Sequence, residues 1–180
     1  MAQLIDITKY SPKTSDNYFF DNNIWMYLFC PIGNYEQRKQ NIYSDFLDKL
    51  LSNNHTIFIN SMILSEFANA YLRLDFKLWK DETKNLQADY KKDFVGTTRF
   101  TETVKGVKSE INKILRIALK GSDEFNSINI TNVLNEFGNS DFNDSYFLEL
   151  ARQKKYKIVS DDKDLQNSKI LVDVITIIRK

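Results

Sequence analysis

The chain has 180 residues, of which 42% are hydrophobic and 27% charged, and its formal net charge is +1. This length suits one compact domain, and we expect a single domain over residues 1–180. The single cysteine, Cys30, excludes an intrachain disulfide and a cysteine-cluster metal site. The single histidine, His55, would have to serve any histidine-based mechanism, so catalysis would fall to carboxylates. No apolar stretch has signal-peptide or membrane-spanning length, and we expect a cytoplasmic protein.

The first half of the chain alternates short apolar runs with amphipathic stretches. Aromatic and β-branched runs predict buried strands, whereas apolar residues at helical spacing predict helices. Polar residues just before a helical pattern predict N-caps. The predicted elements are a strand over 18–20, a helix over 24–29, a helix over 34–54, a strand over 55–60, and a helix over 61–82 capped by Ser61.

The second half is polar and helical in pattern from 83 to 120, where Gly96 divides it, and this region is predicted to be a helical insertion. Short strands that alternate with helices indicate an α/β fold with a parallel sheet. The predicted elements that follow are a helix over 101–121 ending at Gly121, a strand over 125–131, a short helix over 132–140, a helix over 141–155, a strand over 156–160, a short helix after 162, and one or two strands within 170–178.

Charge is unevenly distributed along the chain. Residues 73–120 hold 12 Lys and Arg against 7 Asp and Glu, whereas 121–150 hold 6 acids and no base. An acidic centre with basic flanks is expected where a metal site receives a polyanion. A solvated basic helix face is the equally open alternative. The candidate phosphate-contacting residues are Lys91, Lys92, Arg99, Lys105 and Lys108.

Several acids fall at the ends of predicted strands. Asp21 directly follows the first strand, and Asp161 and Asp162 directly follow the strand over 156–160. In an open parallel sheet, ligands bind outside the carboxyl ends of the strands. Asp141 and Asp144 are three positions apart at a helix start, so they share one helix face. We therefore expect these acids to face one crevice.

Glu66 adds an acid early in the helix that follows the second strand. It is flanked by apolar residues, so it is either edge-exposed or directed at a site. Carboxylates that converge repel one another unless they are protonated or neutralised. Oxygen-only ligands suit Mg²⁺ or Mn²⁺, which can polarise a phosphoryl oxygen without help from histidine or cysteine.

Three segments, in this order, resemble the PIN-domain nucleases. "FFDNN" (19–23) resembles that family's strand-one Asp followed two residues later by Asn. "LSEF" (64–67) resembles its Ser-Glu, and "DFNDSYFLELARQKKYKIVSDDKDL" (141–165) resembles its Asp-bearing helix, strand and Thr/Ser-x-Asp-x-Asp turn. The resemblance implies a three-layer α/β/α fold with a short parallel sheet of about four or five strands, and a helical elaboration around 73–125 where the match is poor.

The resemblance also implies roles for individual residues. The implied catalytic, metal-binding acids are Asp21, Glu66, Asp144 and Asp162. Asp141 resembles an additional metal-binding acid that some members carry, and it is also a natural N-cap. Asp161 fills a variable position. The implied supporting residues are Asn23, Ser160, which stands where Thr is commoner, and Asp164, which is more often a helix cap than a ligand.

What the resemblance implies is a Mg²⁺- or Mn²⁺-dependent endoribonuclease that hydrolyses RNA phosphodiester bonds. Because many family members are VapC-type toxins, it also implies a small antitoxin protein as partner, and it leaves a homodimer open. The alternative is a catalytically inactive PIN-like module that binds RNA or another protein. A haloacid-dehalogenase-like phosphatase is disfavoured, because "DNN" at 21–23 lacks the second Asp of a DxD motif.

Overall fold

A computed structural model describes residues 1–178 of the chain. Six short parallel strands form one sheet, which confirms the predicted α/β fold. The strands are β1 (Gln3–Asp6), β2 (Asn17–Phe20), β3 (Thr56–Ile59), β4 (Leu119–Lys120), β5 (Tyr156–Val159) and β6 (Asp173–Thr176). Their order across the sheet is β1–β6–β5–β2–β3–β4. The sheet has more strands than the four or five predicted. The edge strands β1 and β4 were not recognised in the sequence, because neither carries a continuous apolar run.

Helices complete a three-layer α/β/α arrangement. They are α1 (Asn22–Phe29), α2 (Gln37–Ser52), α3 (Ser61–Thr83), α4 (Thr98–Ile117), α5 (Ile130–Glu136), α6 (Phe142–Lys154) and α7 (Lys163–Gln166). A π-helical turn, Tyr90–Phe94, lies between α3 and α4. Within residues 1–178, no helix combines the length and apolar character needed to cross a membrane.

Three local predictions are wrong. The N-cap of α3 is Asn60 rather than Ser61, because the Asn60 side chain accepts a hydrogen bond of 3.0 Å from the backbone N–H of Ile63. Helix α4 ends at Ile117 rather than Gly121, since the next residues pair with β3 as β4. The segment 125–131 is not a strand: Glu124 adopts a left-handed conformation, and its carbonyl accepts two backbone hydrogen bonds that close a turn.

The aromatic run that enters the first helix is part of the core, as predicted. Phe19, Phe20 and Trp25 are almost fully buried, and the Trp25 indole N–H donates to the Phe20 carbonyl at 3.0 Å. Tyr71 is also buried, and Cys30 is a buried free thiol. This core fixes β2 and α1 relative to each other, and therefore fixes the residue at their junction.

The helical elaboration has its own packing. Phe94 of the π-helical turn packs on Phe76 and Trp79 of α3, with ring centroids 5.3 and 5.4 Å apart. The guanidinium of Arg99 in α4 donates to both carboxylate oxygens of Asp75, which is 1% exposed in α3. Arg99 is therefore occupied by an ion pair that joins α3 to α4.

The topology of the sheet creates a crevice at the carboxyl ends of its strands. All strands are parallel, so their carboxyl ends lie together. Strand β2 lies between β5 and β3, and the chain leaves β2 first towards β3 and later returns to β5 on the other side. Such a switch in direction opens a crevice at the carboxyl ends of the two strands.

Candidate functional site

Asp21 lies at the junction of β2 and α1, where it is 6% exposed. Its Oδ1 accepts a 2.6 Å hydrogen bond from the Asn22 backbone N–H. Its Oδ2 accepts hydrogen bonds from the Ser160 hydroxyl at 2.7 Å and the Asn23 amide at 2.6 Å. Burial raises the pKa of Asp21 to about 6, although the hydrogen bonds from Ser160 and Asn22 oppose the shift. Two of the three sequence-predicted supporting residues, Asn23 and Ser160, thus contact this carboxylate.

Asp162 lies beyond the end of the neighbouring strand β5. The Ser160 hydroxyl accepts from the Asp162 backbone N–H at 3.0 Å, so one hydroxyl bridges the ends of β2 and β5. Asp162 is also the N-cap of α7, since its Oδ1 accepts from the Asp164 backbone N–H at 2.7 Å. Asp164 therefore contributes a backbone N–H, and its own side chain is exposed outside the site.

Glu66 reaches the same region from the first turns of α3. Its Oε1 accepts a hydrogen bond from the side-chain amide of Asn143 in α6. Burial raises the pKa of Glu66 to about 7, the Asn143 hydrogen bond lowers it, and the charges of Asp21 and Asp141 raise it further.

Asp141 and Asp144 enter from the start of α6. Asp141 is the N-cap, and its Oδ1 accepts from the Asp144 backbone N–H at 2.9 Å. Burial is the largest cause that raises the pKa of Asp144 to about 8, and the charges of Asp21, Asp141, Asp162 and Glu66 add to it. The charge of each of the other acids of the site therefore raises the pKa of Asp144.

These acids line one cavity of about 630 Å³, which we call the acid pocket. Among residues 1–178, its lining includes no Lys, Arg or His. The residues that line the acid pocket are Asp21, Asn22, Asn23, Met26, Tyr27, Tyr35, Glu66, Asn69, Ala70, Asp141, Asn143, Asp144 and Asp162. All five acids that the sequence predicted as metal ligands are in this set, whereas Asp161 is not.

The donors of the acid pocket suit a hard divalent cation. Its charged donors are carboxylate oxygens, and the buried Asn22 Oδ1 has no hydrogen-bond partner among residues 1–178. Burial is the largest cause that raises the pKa of Asp21, Glu66 and Asp144, and the charges of neighbouring acids raise each of these values further. In the described chain, no three Asp, Glu, His or Cys side chains are already close enough to hold a metal ion. A cation held by three or more of these side chains would therefore require them to move closer together.

The basic residues proposed as phosphate contacts do not lie in this pocket. Lys91 and Lys92 belong to the π-helical turn, Arg99 pairs with Asp75, and Lys105 and Lys108 belong to α4. None of them lines the acid pocket.

Comparison with solved structures identifies the fold. No protein-family model matches the sequence, and no curated protein matches it. The chain superposes with a TM-score of 0.54 on a chain of VapBC2 from Rickettsia felis, solved in complex with a DNA fragment from its promoter, over 89% of this chain and 98% of that one. The fold is PIN-like. The two chains are 14% identical in sequence.

Another match is PAE2754 from Pyrobaculum aerophilum, at 14% identity and a TM-score of 0.46, over 90% of this chain and 92% of that one.

Two residues of the site were missed by sequence reasoning. Asn143 orients Glu66, and Asn22 offers an unpaired oxygen. Asn143 lies between the two predicted acids of α6, and its position in the first helical turn was an available signal. Asn22 is the middle residue of "DNN", where nothing in the sequence distinguishes it.

Proposed function

We propose that the protein is a divalent-metal-dependent endoribonuclease that hydrolyses RNA phosphodiester bonds. The observation that supports this most is the convergence of acids from the ends of β2 and β5 and the starts of α3 and α6 in one pocket, which no basic side chain of residues 1–178 lines. Mg²⁺ or Mn²⁺ bound there would polarise a phosphoryl oxygen and supply hydroxide near neutral pH. The proposed ligands are Asp21, Glu66, Asp141, Asp144 and Asp162.

The chain's own contacts prepare these ligands. Ser160 and Asn23 fix Asp21, and Asn143 fixes Glu66, so both carboxylates keep their directions before a cation arrives. Asp144 lacks a side-chain partner of this kind among residues 1–178, and its raised pKa keeps it largely protonated at neutral pH. A divalent cation would favour the ionised form and release that proton.

The test is cleavage of a panel of single-stranded and structured RNAs with Mg²⁺, Mn²⁺ or EDTA. We expect metal-dependent cleavage by the wild-type protein, and a loss of at least about a hundredfold in Asp144→Asn. The matched control is Asp48→Asn, which removes an exposed acid of α2 outside the pocket and should cleave normally. Wild-type protein that binds RNA without cleaving it under any metal would favour the inactive PIN-like module.

We further propose a protein partner for this chain. Ile130, Leu134 and Phe137 recur at helical spacing along α5 and its end, and all three are exposed, the last two by 56% and 54%. Phe142, 39% exposed, packs against Phe137 with ring centroids 5.9 Å apart. An exposed apolar stripe of this kind favours protein association, either with a small antitoxin or in a homodimer. Likeness to VapBC2, a toxin–antitoxin complex, supports the antitoxin.

The toxin role has a direct test. Induced expression of the wild-type chain in a bacterial host should arrest growth, and Asp144→Asn should not. Equal growth of the two cultures at equal protein levels would argue against a toxin while leaving the nuclease proposal intact.

A further inference from the structure

Asp161 and Asp162 are adjacent acids with different surroundings. Asp162 lines the acid pocket, whereas Asp161 is directed to a neighbouring cavity that it shares with Lys39. The Lys39 ammonium, from the first turn of α2, donates to Asp161 Oδ2. Their side chains are only 19% and 12% exposed, so this is a largely desolvated ion pair. Breaking such a pair leaves an uncompensated charge at the site.

Tyr27 connects this ion pair to the acid pocket. Its hydroxyl donates to the same Asp161 oxygen at 3.1 Å, and the Lys39 ammonium lies 5.9 Å from the centre of its ring. Tyr27 also lines the acid pocket. The Asp161 carboxylate is therefore separated from the pocket by one side chain.

The backbone of Asp161 is held independently of its side chain. Its N–H donates to Asn23 Oδ1 at 3.3 Å, and the amide of Asn23 donates in turn to Asp21. The peptide therefore stays beside the pocket whether or not the carboxylate is paired. The direction of the carboxylate depends on the contacts from Lys39 and Tyr27.

We propose that Lys39 is a positioning residue that keeps Asp161 out of the acid pocket, so that only Asp162 of the adjacent pair faces the cation. This inference rests on the proposed metal-dependent function. Without Lys39, the Asp161 carboxylate keeps only the hydrogen bond from the Tyr27 hydroxyl, and it is then able to turn towards a cation bound in the acid pocket. An additional carboxylate there strengthens cation binding, and it occupies space that substrate phosphate and water require.

The two members of the pair therefore have opposite expected effects on cation affinity. Lys39→Met should tighten Mn²⁺ binding by about tenfold and slow RNA cleavage by at least about tenfold, since it exposes an acid. Asp161→Asn should weaken Mn²⁺ binding by about tenfold, since it leaves an unpaired ammonium near the pocket. Lys39→Met combined with Asp161→Asn should return the affinity to within about twofold of wild type.

The experiment is calorimetric titration of metal-free full-length protein with Mn²⁺, together with RNA cleavage rates at saturating Mn²⁺. Lys39→Arg keeps a cation and should retain both properties. Lys49→Met, which removes another lysine of α2 with no carboxylate partner among residues 1–178, serves as the matched control. Tighter binding with slower cleavage is not expected from general loosening of the fold, which weakens both.

Weaker or unchanged Mn²⁺ binding in a folded Lys39→Met variant would overturn the role of Lys39 while leaving the nuclease proposal in place. If Lys39→Met does not fold, the comparison of Asp161→Asn with Lys39→Arg decides, and equal affinities in these two variants would overturn it. No Mn²⁺ binding by wild-type protein would overturn both the proposed function and this inference.

Discussion

Helix α6 carries two acids in opposite electrostatic settings. Glu149, 0% exposed, accepts hydrogen bonds from Arg152, Asn132 and Gln153, and these outweigh the effect of burial and hold its pKa below the usual range. Asp144, at the start of the same helix, has its pKa raised to about 8 by burial and by neighbouring acids. Glu149 therefore has a basic partner in Arg152, whereas no basic side chain among residues 1–178 lines the acid pocket. Carboxyl groups with perturbed pKa values cluster at functional sites, and this contrast supports the proposed cation site.

Asp75 extends the comparison to the helical elaboration. It is as buried as Glu149, and it too has a guanidinium partner, in Arg99, as well as the Thr103 hydroxyl. Arg99→Met would leave a buried carboxylate without its cation, and we expect the free energy of unfolding to fall by about 3 kcal/mol. Urea denaturation measures this. Lys77→Met, an exposed change on α3, should alter stability by less than about 0.5 kcal/mol. Equal effects of the two changes would show that Asp75 needs no counter-charge.

A change at Arg152 tests the compensated acid of α6. Arg152→Met should lower the free energy of unfolding by about 2 kcal/mol at neutral pH, since Asn132 and Gln153 still donate to Glu149. The pKa of Glu149 is depressed in the folded state, so its stabilising effect is present above the unfolded pKa and is lost as pH falls through the folded pKa. The difference between variant and wild type should therefore shrink below about pH 4. A difference that is constant down to acid pH would contradict the assigned ion pair.

The acid pocket should have the opposite pH dependence. The folded-state pKa values of Asp21, Glu66 and Asp144 are raised to about 6, 7 and 8, so the folded protein retains protons that the unfolded chain has lost. The contribution of these three groups to the free energy of unfolding is fully present below about pH 4, near their unfolded pKa values. It is lost as the pH rises through their folded pKa values. With EDTA present, we expect a loss of about 1–2 kcal/mol between about pH 5 and about pH 8, a figure reduced because the pocket is open to solvent.

Denaturation across that pH range, with wild type beside Asp144→Asn, measures this dependence. The variant should show a smaller loss, because it lacks the group with the highest pKa. A stability that rises with pH in EDTA would contradict the proposed lack of compensation.

A substitution at Asn143 should have the smallest effect on the acid pocket, because Asn143 is not itself an acid. Asn143→Ala removes the donor to Glu66 without touching an acid, and the opposing hydrogen-bond contribution to the Glu66 pKa disappears. We expect RNA cleavage to fall by about tenfold and Mn²⁺ affinity to fall by a similar factor. The control is Asn112→Ala, an exposed change on α4 outside the acid pocket, and cleavage rates at saturating Mn²⁺ separate orientation from affinity. Wild-type cleavage and affinity in Asn143→Ala would exclude Asn143 from ligand positioning.

The sequence was informative where local chemistry determines position. Asp21 and Asp162 follow apolar runs that became β2 and β5, and parallel strands bring such residues to one edge. Lys39 could not be found in this way, because its partner Asp161 lies 122 positions away in the chain. Strand β4 has two exposed residues and carries no pattern, since its pairing to β3 depends on where α4 delivers the chain. Turn chemistry at Glu124 likewise overrode the apolar content of 125–131.

The measurement that tests the central claim most directly is Mn²⁺ binding to the metal-free protein, followed by electron paramagnetic resonance and calorimetry at about pH 7. We predict that wild-type protein binds Mn²⁺, that Asp144→Asn and Asp21→Asn weaken binding by at least about tenfold, and that Glu149→Gln leaves the affinity unchanged because that acid is already compensated. Wild-type protein that binds no Mn²⁺, or equal affinities in Asp144→Asn and Glu149→Gln, would contradict the assignment of the acid pocket as a metal centre.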